Sequence, residues 1–156
     1  MNRAIGFVRS GAIAVAMLAP FVYLALNWTA MPATVPSHFG INGQPDAWGP
    51  RWNLFLLPAL ALVVVSLLSI GKRFPNHFNY PVRITEENRE RQRELGLELI
   101  DELRFIVATL LGYISIQQMR TALNQTNGLG VWTMLLLVAA VFGTIAAYFV
   151  RSIRAR

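Results

Sequence analysis

Cysteine is absent from the 156 residues, which excludes a disulfide framework, a thiolate zinc site, an iron–sulfur cluster and a catalytic thiol. Charge is scarce: 14% of residues are charged, where an ordinary soluble domain carries roughly 25%. Acidic residues are missing altogether from four stretches, Gly11 to Ala30, Asn53 to Ile70, Phe105 to Leu123 and Val131 to Val150. No glycine-rich phosphate loop occurs, and Ser37 beside His38 has neither a third orienting acid nor a nucleophile elbow around it, so nucleotide chemistry and nucleophilic catalysis find no machinery. What is abundant is apolar: 54% of the chain, with a mean hydropathy of +0.44, in blocks too long for one small core to hide.

Each of the four blocks is close to the roughly 20 residues that a helix needs to cross a hydrocarbon core of about 30 Å. The expected fold is therefore an all-α integral membrane protein, a single membrane domain over 1–156 with spans at about 11–30, 53–70, 105–123 and 131–150. The third is the least regular, because Gln117, Gln118 and Arg120 interrupt its far end. The first is read as a span and not as a cleaved signal, since it exceeds the roughly 7 to 15 apolar residues of a signal peptide.

The formal charge of +6 is distributed as a topology signal, not as a nucleic-acid stripe. Between Lys72 and Arg104, seven basic residues balance seven acidic ones, and the excess comes from Arg3, Arg9, Arg51, Arg120, Arg151, Arg154 and Arg156 against Asp46. Basic residues cluster before the first span, between the second and third, and after the fourth. Both termini and the 71–104 segment are thereby placed in the cytoplasm, and the 31–52 loop and the 124–130 turn outside. Trp28, Trp48, Trp52 and Trp132 fall at the expected outer boundaries, where indoles settle among headgroups. Pro20 and Pro58 lie inside the first two spans, where proline can kink a helix. In the fourth span Ala139, Gly143 and Ala147 form a small-xxx-small stripe that lets a helix approach closely, either within the chain, the favoured reading, or as a seam of a homo-oligomer.

The cytoplasmic segment divides in two. Residues 74–81 are rich in proline, asparagine and aromatics, hence irregular. Thr85 then reads as an N-cap with Glu86 and Glu87 in the first turn, and a helix is expected to run unbroken from Glu86 through Arg104 into the third span. Leu95, Leu99 and Leu103, with Ile100, make an apolar stripe along it, and the pairs Glu87/Arg91 and Glu90/Arg93 add a few tenths of a kcal/mol each.

The 31–52 loop holds four prolines and three glycines, which preset turns, and Asn42-Gly43 is a tight-turn signal. Set into it are His38, Phe39, Asp46, Trp48 and Arg51. His38 is read as a pH switch, a metal ligand or a proton carrier, or else as a side chain that fixes the loop. Asp46 binds a cationic ligand, or is spent on an Asx turn or an ion pair with Arg51 or Arg120. A metal needs three or four ligands, and only His38 and Asp46 lie on this side, with His77 across the membrane, so no metal and no cofactor is expected. Gln117 and Arg120 either line an outward-open cavity under the loop, with Asp46 as counter-ion, or Arg120 snorkels to the headgroups.

The run His38-Phe39, Gly43, Pro45-Asp46, Trp48-Gly49 and Arg51, preceded by Pro32 and Pro36, resembles the signature of the bacterial membrane family called domain of unknown function 1648. Asn79-Tyr80-Pro81-Val82 and Ile84-Thr85-Glu86-Glu87-Asn88 resemble short stand-alone members, and Gly40 stands where that family more often has asparagine. The same domain forms the N-terminal half of SdpI-type proteins, which protect a bacterium from its own secreted toxic peptide and relay its presence to a repressor. The resemblance implies immunity or signal relay in a bacterial cytoplasmic membrane.

The expected function is thus a binding or sensing protein. His38, Phe39, Asn42, Asp46, Trp48, Arg51, Gln117 and Arg120 engage a secreted peptide, a lipid headgroup or a partner outside. Asn79, Tyr80, Pro81, Glu86, Glu87 and Asn88 dock a cytoplasmic or membrane protein. One alternative is a small transporter or channel subunit, with Asn27, Gln117 and Arg120 lining a polar path. The other is an outer-leaflet enzyme, which requires His38 and Asp46 within hydrogen-bond reach in a cleft.

Overall fold

The computed structural model describes residues 3–156; the side chain of Arg3, one of the topology signals, lies outside the described part. Four helices form: α1 (Arg3–Asn27), α2 (Leu56–Gly71), α3 (Arg89–Ala122) and α4 (Val131–Arg154). Three segments, Gly6–Ala30, Arg51–Gly71 and Val131–Arg154, are long and apolar enough to cross a membrane. The third expected span does not reach the same standard, because the polar run at Gln117, Gln118 and Arg120 dilutes it.

That dilution has a structural cause. α3 is the hub, packed against α1, α2 and α4 at once, so its faces meet protein where its neighbours keep one face exposed. Ala108, Gly112, Ser115 and Met119, three or four residues apart, are all buried, and the Ser115 hydroxyl donates to the Leu111 carbonyl at 2.7 Å. A Cβ added at Gly112 would lie 2.4 Å from the Ala16 carbonyl oxygen, so the backbones of α1 and α3 nearly touch. Ile13, Val65 and Ala108 pack together beside this crossing, and Leu24, Met31, Val35, Leu54 and Met119 form a second cluster at one end of the bundle.

The small-residue stripe of α4 is not the packing seam within the chain. Ala139, Gly143 and Ala147 are exposed, and a Cβ at Gly143 would meet nothing within 4 Å. The less exposed residues of α4 are Val131, Met134, Leu137, Ala140, Val141, Thr144, Ile145, Tyr148 and Ser152, the side opposite that stripe.

Two further corrections concern local structure. The fold is not all helical, because the 31–52 loop contains a two-stranded antiparallel sheet, β1 (Thr34–Phe39) and β2 (Pro45–Pro50). Its prolines argue against strands, yet in a two-stranded ribbon both strands are edges and a missing N–H is tolerated on the unpaired side. Pro58 sits in the first turn of α2, where a missing N–H is tolerated. Pro20 does lie within α1.

At the end of α3 remote from the hairpin, the Thr85 N–H donates to Asn88 Oδ1 at 2.9 Å and the Asn88 N–H to Thr85 Oγ1 at 3.3 Å. This is a capping box with asparagine at its third position. The regular helix starts at Arg89, later than expected from Glu86, because that capping turn occupies 85–88, and it then runs unbroken to Ala122. Arg93 pairs with Glu90 at 3.0 Å, while Arg91 takes Glu94 at 3.1 Å in place of Glu87.

Candidate functional site

The 31–52 loop is a hairpin pinned at both ends. At its tip Asn42 Oδ1 accepts the Gln44 N–H at 3.0 Å, and Gly43, with φ +75, donates its N–H to the Gly40 carbonyl at 2.8 Å. The Gly43 carbonyl in turn accepts the Leu129 N–H at 2.8 Å, tying the tip to the α3–α4 turn. Gly43 and Gly128 approach so closely that a Cβ on Gly128 would lie 2.2 Å from the Gly43 oxygen. At the root, the Arg51 N–H donates to the Ala33 carbonyl at 3.0 Å. The Arg51 guanidinium lies 4.5 Å from the centroid of Trp28, and Trp28 packs with Trp52 and Phe55 at 5.0 and 5.6 Å. The tight turn expected at Asn42-Gly43 is present.

The strongest tether comes from a residue that sequence reasoning passed over. Gln118, not Gln117, is the buried amide, and its Nε2 donates to the Pro36 carbonyl at 2.7 Å. Gln117 stays on its own helix, where it accepts from Arg120 at 3.3 Å. The helical period was the available signal: 118 continues the 108, 112, 115 face and 117 does not. Gln118 Oε1 is buried with no partner among the described residues. Gln118→Leu is therefore expected to cost only about 1 kcal/mol in micelle unfolding, since orphaning the Pro36 carbonyl is offset by removing an unpaired amide oxygen. Proteolytic nicking of the hairpin should rise with it.

On the open side of this platform, the strand pairing is irregular between Pro36 and Phe39. The bulge turns His38 toward Asp46, whose Oδ1 lies 2.6 Å from His38 Nδ1. Asp46 therefore pairs with His38 and not with Arg51 or Arg120, which the structure commits to Trp28 and Gln117. The histidine and aspartate side chains are 70% and 52% exposed, so the pair stands on an open surface and not in a cleft. Trp48 on β2 and Ile41 at the tip are exposed beside it, whereas Phe39 is half-buried opposite Pro45. A Cβ on Gly49 would lie 2.3 Å from Asn53 Nδ2, so a side chain there would displace the Asn53 amide.

The opposite end of the bundle carries the remaining candidates. Tyr80 donates its hydroxyl to the Pro75 carbonyl at 3.0 Å, and Phe78 beside it presses on Gly96 of α3, where a Cβ would lie 2.9 Å from the ring. Asn88 Nδ2 donates to the Arg83 carbonyl at 3.0 Å. Tyr80 and Asn88 are thus occupied by local structure, Pro81 is half-buried, and Asn79, Glu86 and Glu87 are exposed. An open cleft of about 500 Å³ lies here, lined by Phe78, Tyr80, Ile84, Arg89 and Arg93 among others. Gln92, fully buried, donates to the carbonyls of Ser152 at 2.9 Å and Ala155 at 3.1 Å, closing the C-terminal end of α4.

Nearby is a cluster that the linear sequence did not disclose. Asp101 of α3 is buried and accepts both carboxylate hydrogen bonds from Lys72 Nζ at 2.7 Å, one from Arg104 Nη1 at 2.9 Å, and pairs with Arg9 at 3.6 Å. Burial by itself would push the Asp101 carboxyl up, but hydrogen bonds and charge from Lys72, then Arg104 and Arg9, outweigh it and hold it below the usual carboxylate range.

Residues 15–62, comprising the second half of α1, the hairpin and the start of α2, match the model of the family described as Domain of unknown function (DUF1648). That stretch is 48 of the 156 residues. The hairpin, with the Trp28 platform under it, lies wholly inside the matched region, whereas α3, which anchors the hairpin through Gln118, lies outside it. A protein of Archaeoglobus fulgidus, named "Uncharacterized protein", is 34% identical over 96 residues, a match covering 53% of this chain and 51% of that one. The chain thus spans about half the length of that relative. No solved structure matches.

Proposed function

We propose that the DUF1648 hairpin is the extracytoplasmic recognition surface of a four-span protein of the bacterial cytoplasmic membrane, with both termini in the cytosol. The observation that carries this reading is a hairpin fixed at root and tip by Gln118, Arg51 and Leu129 that nonetheless presents His38, Asp46, Trp48 and Ile41 to the surroundings. A rigid scaffold with exposed polar and aromatic side chains is what a binding loop needs, since little ordering entropy is lost on contact. Arginine placement supports the orientation. α3 supports the fourth span: its 34 residues reach about 50 Å at 1.5 Å per residue, enough to cross the bilayer and extend into the cytosol.

Immunity to a secreted antimicrobial peptide, or relay of its presence, is the concrete form. In it, the hairpin meets the peptide while the exposed Asn79, Glu86 and Glu87 meet a cytoplasmic or membrane partner. Transport is less well supported, since Asn27 donates to the Tyr23 carbonyl at 2.8 Å and Gln117 and Arg120 bond to each other, which leaves these groups no outlet to a polar path. The enzyme reading has its His38–Asp46 contact but lacks the water-excluding cleft.

Cells expressing the wild-type chain are expected to survive challenge with secreted antimicrobial peptides better than cells without it. His38→Ala and Asp46→Ala should abolish protection at equal membrane abundance, and absence of protection by wild type removes the immunity role. Sidedness is read separately: an impermeant maleimide should label Asn42→Cys on intact cells and Glu87→Cys only after lysis.

A further inference from the structure

Asp46 is the only acidic residue outside positions 86–102, so no other carboxylate side chain belongs to the hairpin or to the residues packed about it. His38 Nδ1 lies 2.6 Å from its Oδ1, and because a carboxylate only accepts, the imidazole proton sits on Nδ1. Oδ2 accepts from no described residue, and the Asp46 side chain is 52% exposed. The charge is therefore held at one oxygen and offered at the other.

A second acceptor stands beside it. A Cβ on Gly40 would lie 3.1 Å from Asp46 Oδ2 and 3.2 Å from Asn42 Oδ1, so both oxygens overhang one residue that has no side chain. Asn42 Oδ1 takes the Gln44 N–H, which leaves it a lone pair. The hairpin tip thus carries a notch walled by two acceptors, one of them charged. An ammonium has three donors and can bond to both. A guanidinium suits it less, because its fork matches the two oxygens of one carboxylate and His38 has taken Oδ1. Exposure alternates along β2, so exposed Trp48, two residues on, shares the face of Asp46 about 7 Å away. An indole there can carry the aliphatic stem of a cationic side chain.

We propose that this notch takes the ammonium of a lysine in the peptide that the hairpin meets, with Asp46 and Asn42 as acceptors, Trp48 under the stem and His38 as a positioning residue. The proposal rests on the recognition reading and names the chemistry of its ligand. It also carries a sign for pH. Neutral His38 leaves the pair one net negative charge, whereas a protonated imidazole cancels it, and imidazoles change charge between about pH 5 and 8. The other titratable groups on the elements around the hairpin are Tyr23 and Arg51, engaged by Gln125 and Trp28, and Tyr113 and Arg120, engaged by Gly130 and Gln117. Tyrosines and arginines titrate far above that range.

The test uses the full chain in phosphatidylcholine nanodiscs and the peptide acetyl-Leu-Lys-Leu-amide, followed by saturation-transfer difference NMR against empty nanodiscs. At about pH 8, wild type is expected to bind it roughly fivefold more tightly than the same peptide carrying Nε-acetyl-lysine, the upper range for an exposed ion pair, and more tightly than its arginine counterpart. At about pH 5 most of that preference should be lost. Asp46→Asn should remove it throughout, and Gly40→Ala, which fills the notch without changing charge, should weaken it at the higher pH. His38→Asn puts an uncharged amide where Nδ1 stands and should keep the preference across the whole range. Unchanged proteolytic resistance of the hairpin verifies that each variant folds. Equal binding of the lysine and acetyl-lysine peptides by wild type, or a preference that survives Asp46→Asn and Gly40→Ala, overturns the proposal. A preference in His38→Asn that still falls with pH overturns the part given to His38. Loss of peptide binding when phosphatidylethanolamine replaces phosphatidylcholine assigns the notch to a lipid ammonium and overturns the peptide assignment. Protection of cells by wild type without any lysine preference would sink this inference and leave the recognition reading standing, whereas labelling of Asn42→Cys only after lysis refutes that reading whatever the peptide does.

Discussion

Gly112→Leu is expected to abolish the folded bundle, and Gly112→Ala to lower its unfolding free energy in micelles by about 3 kcal/mol. The reason is a backbone contact. The added Cβ would lie 2.4 Å from the Ala16 carbonyl oxygen, and neither group has a rotamer through which to escape. The helices must part by roughly 1 Å to restore van der Waals distance, and that movement also loosens Ile13 and Val65 against Ala108. Lipid cannot compensate by a hydrophobic gain, since acyl chains are as apolar as the side chains they replace and close packing is what holds membrane helices together. Two controls sharpen the result. Ala16→Gly should fail to rescue Gly112→Ala, because the clash is with the main-chain oxygen and not the methyl group. Gly143→Ala on the open face of α4 should be neutral or slightly stabilising, as a methyl there touches nothing. Equal effects at positions 112 and 143 would refute the packing account.

That contrast also shows where the sequence was readable. Local chemistry was: Asn42-Gly43 as a turn, Thr85 as a cap, and the uninterrupted passage from the charged part of α3 into its apolar part each follow from residues within a few positions of one another. Long-range facing was not. The regular stripe Ala139, Gly143 and Ala147 attracts a packing interpretation on spacing alone, yet the close crossing is made at Gly112. Which side of α4 turns inward depends on the bulk presented by α3, which no local pattern encodes. The strands were masked by their prolines, tolerable only because the ribbon has two edges. The His38–Asp46 contact depends on a bulge that reorients one side chain, so Arg51 and Arg120, which are longer and charged, looked the better partners for Asp46. Arg9, Lys72, Asp101 and Arg104 are scattered over nearly a hundred positions and meet only once three helices have packed.

The last of these clusters makes the second strong prediction, Asp101→Asn. The substitution keeps shape and removes the one charge that Lys72, Arg104 and Arg9 share. Removing one partner of a buried ion pair costs about 3 to 5 kcal/mol, mostly because the remaining charge stays buried and uncompensated. Here the cations are 20 to 29% exposed, so water relieves part of that cost and about 3 kcal/mol is expected. The pH dependence separates this origin from loss of packing. Because the folded-state pKa of Asp101 is depressed, its contribution is fully present above the unfolded carboxylate value of about 3.9 and is lost as pH falls through the lower, folded-state value. Wild-type stability should therefore lie above that of Asp101→Asn by a constant margin above about pH 5, and the two curves should converge under stronger acid as the wild-type carboxyl takes up its proton. A margin that persisted undiminished at the most acidic pH at which the chain still folds would mean that Asp101 acts through shape. The three cations would then be held apart by the helices themselves and not by the carboxylate between them.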